Sequence, residues 1–200
     1  MNRGILYIHG KGGSHLEAQQ YVECCPGFEI TGVAYEAYLP WLVEGKIKSA
    51  YDAFHKTHDQ VYLLANSIGA YFAMHTLQRE KIEKALFISP VLDMERLILD
   101  MMKWAGVTEE ELHDKGEIPT DFGETLSWEY LCFVRENPIH WSAPTKILYG
   151  AKDHLIARQT VDDFTACHRA TLTVMKNGEH WFHTEEQLDF LNKWIKNALL

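Results

Sequence analysis

A parallel α/β sheet flanked by helices is the fold class this sequence predicts, and three observations predict it. Six short apolar runs, rich in β-branched and aromatic residues, recur at residues 5–8, 28–35, 61–65, 85–88, 146–149 and 172–175. They are continuous rather than alternating, which is the pattern of strands covered on both faces. Helical patterns lie between most of them, and alternation of strand and helix implies parallel pairing through crossovers.

The individual elements follow from spacing and caps. Ile47, Ala50, Tyr51 and Phe54 fall at i, i+3, i+4 and i+7, one apolar stripe of a helix. A last helix opens at Thr184 and Gln187 as a capping box and carries Leu188, Leu191, Ile195 and Ala198 on one side, so it is expected to pack on the sheet. The alternation is broken from Asp93 to Trp141, a stretch far longer than the usual connection of about 2–6 residues. It reads as an insertion with its own helices. The first contains Met94, Leu97, Ile98, Met101, Met102 and Ala105 and stops at Gly106; the second starts at the box Thr108 to Glu111 and ends near Gly116; the third runs from Ser127 to Arg135, before Asn137-Pro138. With 200 residues, the chain is expected to form a single domain over 1–200 that carries this insertion at about 93–141.

Composition narrows the function. A chain that is 46% hydrophobic and 24% charged can bury roughly 70% of its unfolded surface, which excludes a disordered or low-complexity assembly. Nineteen basic residues against 28 acidic ones leave a net charge of −9, a surface that repels phosphate, so neither nucleic acid nor an anionic membrane is an expected partner. The run at residues 5–8 is too short for a signal segment and no stretch approaches the ~18 apolar residues of a membrane span, so the expected location is cytoplasmic. The four cysteines, two of them the vicinal Cys24 and Cys25, do not form a disulfide framework, and no second Cys/His pair stands near them at zinc spacing.

The chemistry concentrates at the ends of the predicted strands. Ser67 stands at a sharp strand-to-helix junction in Ala65-Asn66-Ser67-Ile68-Gly69, where small residues two positions either side let strand and helix approach. Its hydroxyl would meet the positive end of the following helix; the plain alternative is a serine N-cap. Serine needs a base, and the base needs an acid to hold its tautomer. His180 follows the strand at 172–175 in Gly178-Glu179-His180, and Asp153 follows the strand at 146–149 in Gly150-Ala151-Lys152-Asp153. Asp93, after the strand at 85–88, is a rival acid, and His183, which the start of the last helix claims, is a rival base. The glutamate precedes both histidines in Glu179-His180-x-x-His183, so this is not a metalloprotease helix, and no metal is expected. After the first strand comes His9-Gly10-Lys11-Gly12-Gly13, whose amides at Lys11 or Gly12, with that of Ile68, would hold an oxyanion. The spacings of dinucleotide-binding and phosphate-binding loops are absent from it.

With these four motifs in this order, the sequence resembles the α/β-hydrolase superfamily over nearly its whole length. The resemblance implies a mostly parallel sheet, here of about six strands because the chain starts too close to its first strand for the family's two N-terminal ones. It also implies a Ser67, Asp153, His180 triad and a cap inserted where residues 93–141 fall. Ala65 stands where the family usually has glycine. Large apolar residues in the insertion and beside the base, Met101, Trp104, Trp128, Trp141 and Trp181, suggest an apolar pocket for substrate. The expected activity is hydrolysis of an ester or thioester of a small to medium apolar acid, through an acyl-enzyme on Ser67 and without a cofactor. Alternatives are the same triad acting on an amide or carbon-carbon bond, or a ligand-binding protein without turnover.

Overall fold

In the computed structural model, which describes residues 2–200, six strands form one parallel sheet in the order β2-β1-β3-β4-β7-β8. These are β1 (Arg3–Ile8), β2 (Glu29–Gly32), β3 (Gln60–Asn66), β4 (Lys84–Ile88), β7 (Thr145–Gly150) and β8 (Ala170–Met175). Every pairing is parallel. The expected fold class and strand number are therefore those observed. β1 lies between β2 and β3, with Ile5 opposite both Ile30 and Tyr62. From β1 the chain crosses outward to β2, and from β3 it proceeds the other way to β4. Such a reversal leaves a crevice at the carboxyl ends of β1 and β3, where sites of this architecture form.

Strand alternation sends Ile5 and Tyr7 to one face and Leu6 and Ile8 to the other. On the first face, Ile5, Tyr7, Tyr62, Leu64, Leu86, Ile88 and Leu148 form a core with Tyr21, Cys24 and Cys25, and with Leu191, Trp194 and Ile195 of α7 (Glu185–Leu199). α1 (Pro40–His55) and α2 (Ile68–Leu77) pack together and on β1 and β3, while α6 (Arg158–Cys167) packs on β8. Ile47, Tyr51 and Phe54 of the predicted stripe are buried on α1. All four cysteines are free, and burial pushes the Cys25 thiol up to about 12, which keeps it protonated and inert at neutral pH. No helix among the described residues is long and apolar enough to cross a membrane.

Two elements escape the periodicity argument. Residues His15–Cys24 form a 3₁₀ segment, entered through a reciprocal cap between Ser14 and Glu17. The strand expected over 28–35 is only Glu29–Gly32, and a Cβ on Gly32 would stand 2.0 Å from the His15 carbonyl oxygen, so the 3₁₀ segment presses directly on its end.

Residues Asp93–Ile139 make a second compact unit. It comprises α3 (Met94–Ala105), α4 (Glu109–Lys115), a hairpin of β5 (Glu117–Pro119) with β6 (Thr125–Ser127), and α5 (Trp128–Glu136). Asp93, Thr108 and Ser127 cap the three helices, and Gly106 ends α3 in the left-handed region at φ 67°. Leu112, Leu126 and Leu131 are its most buried side chains. Arg135 ties it together, donating to Glu95 on α3 and, through both terminal nitrogens, to Glu109 on α4. The hairpin's three-residue strands are too short to display a period in sequence.

In the first turn of α2, Gly69 lies against β1 so closely that a Cβ would stand 2.4 Å from the Ile8 oxygen and 2.5 Å from the His9 oxygen. Backbone on both sides cannot yield cheaply. Gly69→Ala is expected to cost about 2 kcal/mol by overpacking and to lower the thermal midpoint by roughly 4–8 °C, measured by calorimetry against the parent.

Candidate active site

Strand β3 passes into α2 through one residue, Ser67, with no loop between. Its backbone is held at φ 51°, ψ −123°, a region that side-chain-bearing residues rarely adopt. Neighbouring backbone fixes it there: the Ser67 N–H donates to the Ile88 oxygen at 3.0 Å, and the Val91 N–H donates to the Ser67 oxygen at 3.0 Å. Gly10 abuts the same turn, and a Cβ on it would meet Ser67 Cβ at 3.2 Å. The serine occupies the N-cap position of α2, yet its side chain makes no capping bond. Its Oγ lies 2.9 Å from His180 Nε2.

Two further strand ends bring the histidine and the carboxylate together. Gly150, the last residue of β7, lies so near the loop after β8 that a Cβ would stand 2.5 Å from Gly178 and Glu179 backbone atoms. The Lys152 N–H donates to the Gly178 oxygen at 2.8 Å, which locks the two loops to each other. Asp153 Oδ2 consequently lies 2.7 Å from His180 Nδ1. Asp153 Oδ1 accepts the N–H groups of Leu155 at 2.8 Å and Ile156 at 3.0 Å. The Asp153 side chain is wholly buried and the His180 ring 24% exposed. Oδ1 is thus occupied by two amides, and Oδ2, as a carboxylate oxygen, accepts from the ring. Nδ1 must therefore carry the proton, which leaves Nε2 as an acceptor facing the Ser67 hydroxyl.

Asp93, the rival acid, accepts the Arg96 N–H at 2.9 Å as the N-cap of α3. His183, the rival base, turns its Nδ1 to the Trp181 oxygen at 2.7 Å. His9 is buried beneath the loop after β1, stacked on Tyr35 with ring centroids 4.0 Å apart. In that loop, Gly13 N–H donates to the Gly10 oxygen at 3.1 Å, closing a turn across Lys11 and Gly12. The Gly12 N–H donates to the Tyr38 hydroxyl at 3.1 Å. Of the expected oxyanion donors, the Gly12 amide is thus engaged by Tyr38.

Solved structures share this architecture. Over 97% of the chain and 88% of the other, it superposes on mouse alpha/beta hydrolase domain-containing protein 10 with a TM-score of 0.75 at 16% identity. Est1E of Butyrivibrio proteoclasticus matches over 98% of the chain and 86% of its own, with a TM-score of 0.75 at 14% identity. The RedJ thioesterase from the prodiginine pathway of Streptomyces coelicolor matches over 99% and 90%, with a TM-score of 0.64 at 14% identity. The chain has the α/β-hydrolase fold. No protein-family model matches it, and no curated protein matches it in sequence.

In this α/β-hydrolase fold a cavity of about 630 Å³ opens beside Ser67 and His180. Its apolar wall is Tyr21, Ile88, Trp181, Phe182, Leu188 and Leu191; Lys11, Glu17, Gln20 and Asn192 supply polar groups. Every lining residue belongs to the unit that contains the sheet. Of the five residues expected to form an apolar pocket, Trp181 lines this cavity. Trp141 does not: it is buried against Phe87, and its indole N–H donates to Thr145 at the start of β7, a packing role. Met101, Trp104 and Trp128 belong to the second unit, where Trp104 meets Phe122 edge-on at 6.2 Å and Trp128 meets His113 at 5.0 Å. Sequence reasoning missed Leu188 and Leu191 as cavity walls. Their signal was present, since they begin the apolar side of the helix directly after the His180 loop.

The left-handed φ at Ser67 costs of order 1 kcal/mol for any residue with a Cβ and little for glycine. Ser67→Gly is expected to be more stable than Ser67→Ala by about 1 kcal/mol, or roughly 2–4 °C in thermal midpoint. Equal midpoints for the two variants would show that the junction stores no strain.

Proposed function

We propose that the protein is a serine hydrolase that cleaves an ester or thioester of a small to medium apolar acid. The observation that carries the proposal is the unbroken line Ser67 Oγ, His180 Nε2, His180 Nδ1, Asp153 Oδ2, with spacings of 2.9 and 2.7 Å, at three strand ends of one sheet. Nothing in fold stability calls for a buried carboxylate and a histidine aimed at a serine hydroxyl on a strained turn. Strain at such a place is more simply a device for presenting a nucleophile.

The steps follow from the donors and acceptors. Ser67 Oγ attacks the carbonyl carbon as its proton passes to His180 Nε2, and the Asp153 carboxylate stabilises the imidazolium. Charge develops on the carbonyl oxygen, where the amides of Lys11 and Ile68 would receive it at the head of α2. The carbon-oxygen or carbon-sulfur bond then breaks, and His180 returns the proton to the departing alcohol or thiol. Water, deprotonated by His180, attacks the acyl-Ser67 carbonyl, and the free acid leaves with the serine restored. In each step His180 is the group that takes the proton and gives it back.

The cavity supports the substrate class. Tyr21, Ile88, Phe182, Leu188 and Leu191 give it an apolar wall suited to an aliphatic or aromatic acyl group. Among the proteins that share the fold, RedJ is a thioesterase and Est1E has been crystallised with ferulic acid.

A fluorophosphonate is expected to add once to the native protein, on Ser67, as read by intact mass and peptide mapping; Ser67→Ala is expected to take none while keeping its fold. Asp153→Asn, which holds the wrong imidazole tautomer, is expected to lower kcat on a chromogenic ester by about 10⁴-fold. Native-rate ester hydrolysis by either variant would refute the mechanism.

A further inference from the structure

One side chain in the cavity has partners that neither helix capping nor substrate binding requires. Glu17 lies in the first turn of the 3₁₀ segment, and its Oε1 accepts the Ser14 N–H at 3.1 Å, the reciprocal half of the cap. A cap needs nothing more. Yet Oε2 accepts a second hydrogen bond from the Tyr7 hydroxyl, and Tyr7 is fully buried in β1 between β2 and β3. Gly13 lies against the same carboxylate, close enough that a Cβ would stand 2.7 and 3.0 Å from its two oxygens. The carboxylate thus grips residues 13–14 from the sheet side. The other end of the loop, Gly10, is wedged against Ser67 and Asn66, and the Gly13 N–H to Gly10 oxygen bond joins the two ends. Lys11 sits between these anchors.

We infer that Glu17 is a positioning residue: bridging Tyr7 of the sheet to Gly13 and Ser14, it holds the loop so that the Lys11 amide faces the carbonyl oxygen bound at Ser67. This rests on the hydrolase reading above and adds a residue to it. Hydrogen bonds to a carboxylate are short and stiff compared with neutral ones. Tyr7, moreover, is anchored along the backbone ladders of two neighbouring strands. The rigidity of the central strand thereby reaches a glycine-rich loop that has little of its own. Burial and the nearby carboxylate push the Tyr7 hydroxyl well above its ordinary value, so it remains a donor across the working range of pH. An oxyanion donor matters through its placement in the transition state, so loosening the loop lowers kcat more than it changes substrate affinity.

The test compares Glu17→Ala, Glu17→Gln and Tyr7→Phe with the parent on p-nitrophenyl acetate and butyrate. Active sites are counted by fluorophosphonate labelling taken to completion, and a trifluoromethyl ketone serves as transition-state analogue. In Glu17→Ala, kcat per site is expected to fall by about tenfold or more, with KM within about threefold. The inhibitor constant is expected to rise by the factor that kcat/KM falls, equally for both acyl groups. Tyr7→Phe, which removes one hydroxyl and preserves packing, is expected to shift the same quantities in the same direction by less. It keeps the inference falsifiable if Glu17→Ala does not fold. Unchanged kcat per site in all three variants would reduce Glu17 to a cap. A rise in KM that differs between acetate and butyrate would make it a substrate contact, and either result overturns the inference while leaving an active Ser67 intact. A parent that takes no fluorophosphonate and cleaves no ester overturns the hydrolase reading and this inference with it.

Discussion

The turn at Ser67 is the constraint on which the rest of the site depends. A strand running straight into a helix can present a side chain outward only if its backbone enters the left-handed region, and that conformation persists only where neighbours over-determine it. Four contacts do so here: the Ile88 oxygen, the Val91 N–H, Gly10 against the serine Cβ, and Gly69 against the carbonyls of Ile8 and His9. They come from three adjacent strand ends. The parallel sheet is therefore the device that holds the serine, and its order places the reversal between β1 and β3 at that spot.

The histidine and its carboxylate are held by a different arrangement. The loops after β7 and β8 nest at Gly150 and Gly178, and each lacks the Cβ that would force them apart. Nesting buries Asp153, and a buried carboxylate is costly unless its lone pairs are met. The Leu155 and Ile156 amides and the His180 ring meet them. The same three bonds orient the imidazole, so satisfaction of a buried charge and alignment of the base are one event. In contrast, the second unit is stabilised by its own leucines and by the Arg135 fork, with its three helix caps supplied locally.

Much of this was legible in the sequence because it is encoded over short distances. The six strands, the three helices between residues 93 and 136 and their caps are properties of windows of a dozen residues. The small residues around Ser67 and the glycines of the three loops are likewise local, since a missing Cβ marks where backbone must come close. The order of the motifs carried the pairing of Ser67 with His180 and Asp153. The packing of Trp141 on Phe87 was not legible: a large apolar side chain beside a strand fills a core as readily as it lines a pocket, and only its neighbours decide which.

Sequence alone thus determined the sheet, its crossovers and the identity of the residues at its carboxyl edge, because periodicity, capping and glycine placement act on the chain within reach of its own neighbours. Tertiary structure alone decided what those residues touch. Tyr38 claims the Gly12 amide from 26 positions away, Tyr7 reaches Glu17 across the junction of sheet and 3₁₀ segment, and Leu188 and Leu191 turn a helix face into a cavity wall. Such contacts depend on how elements are packed in three dimensions, and no local pattern records the distance between two side chains that the chain itself does not hold adjacent.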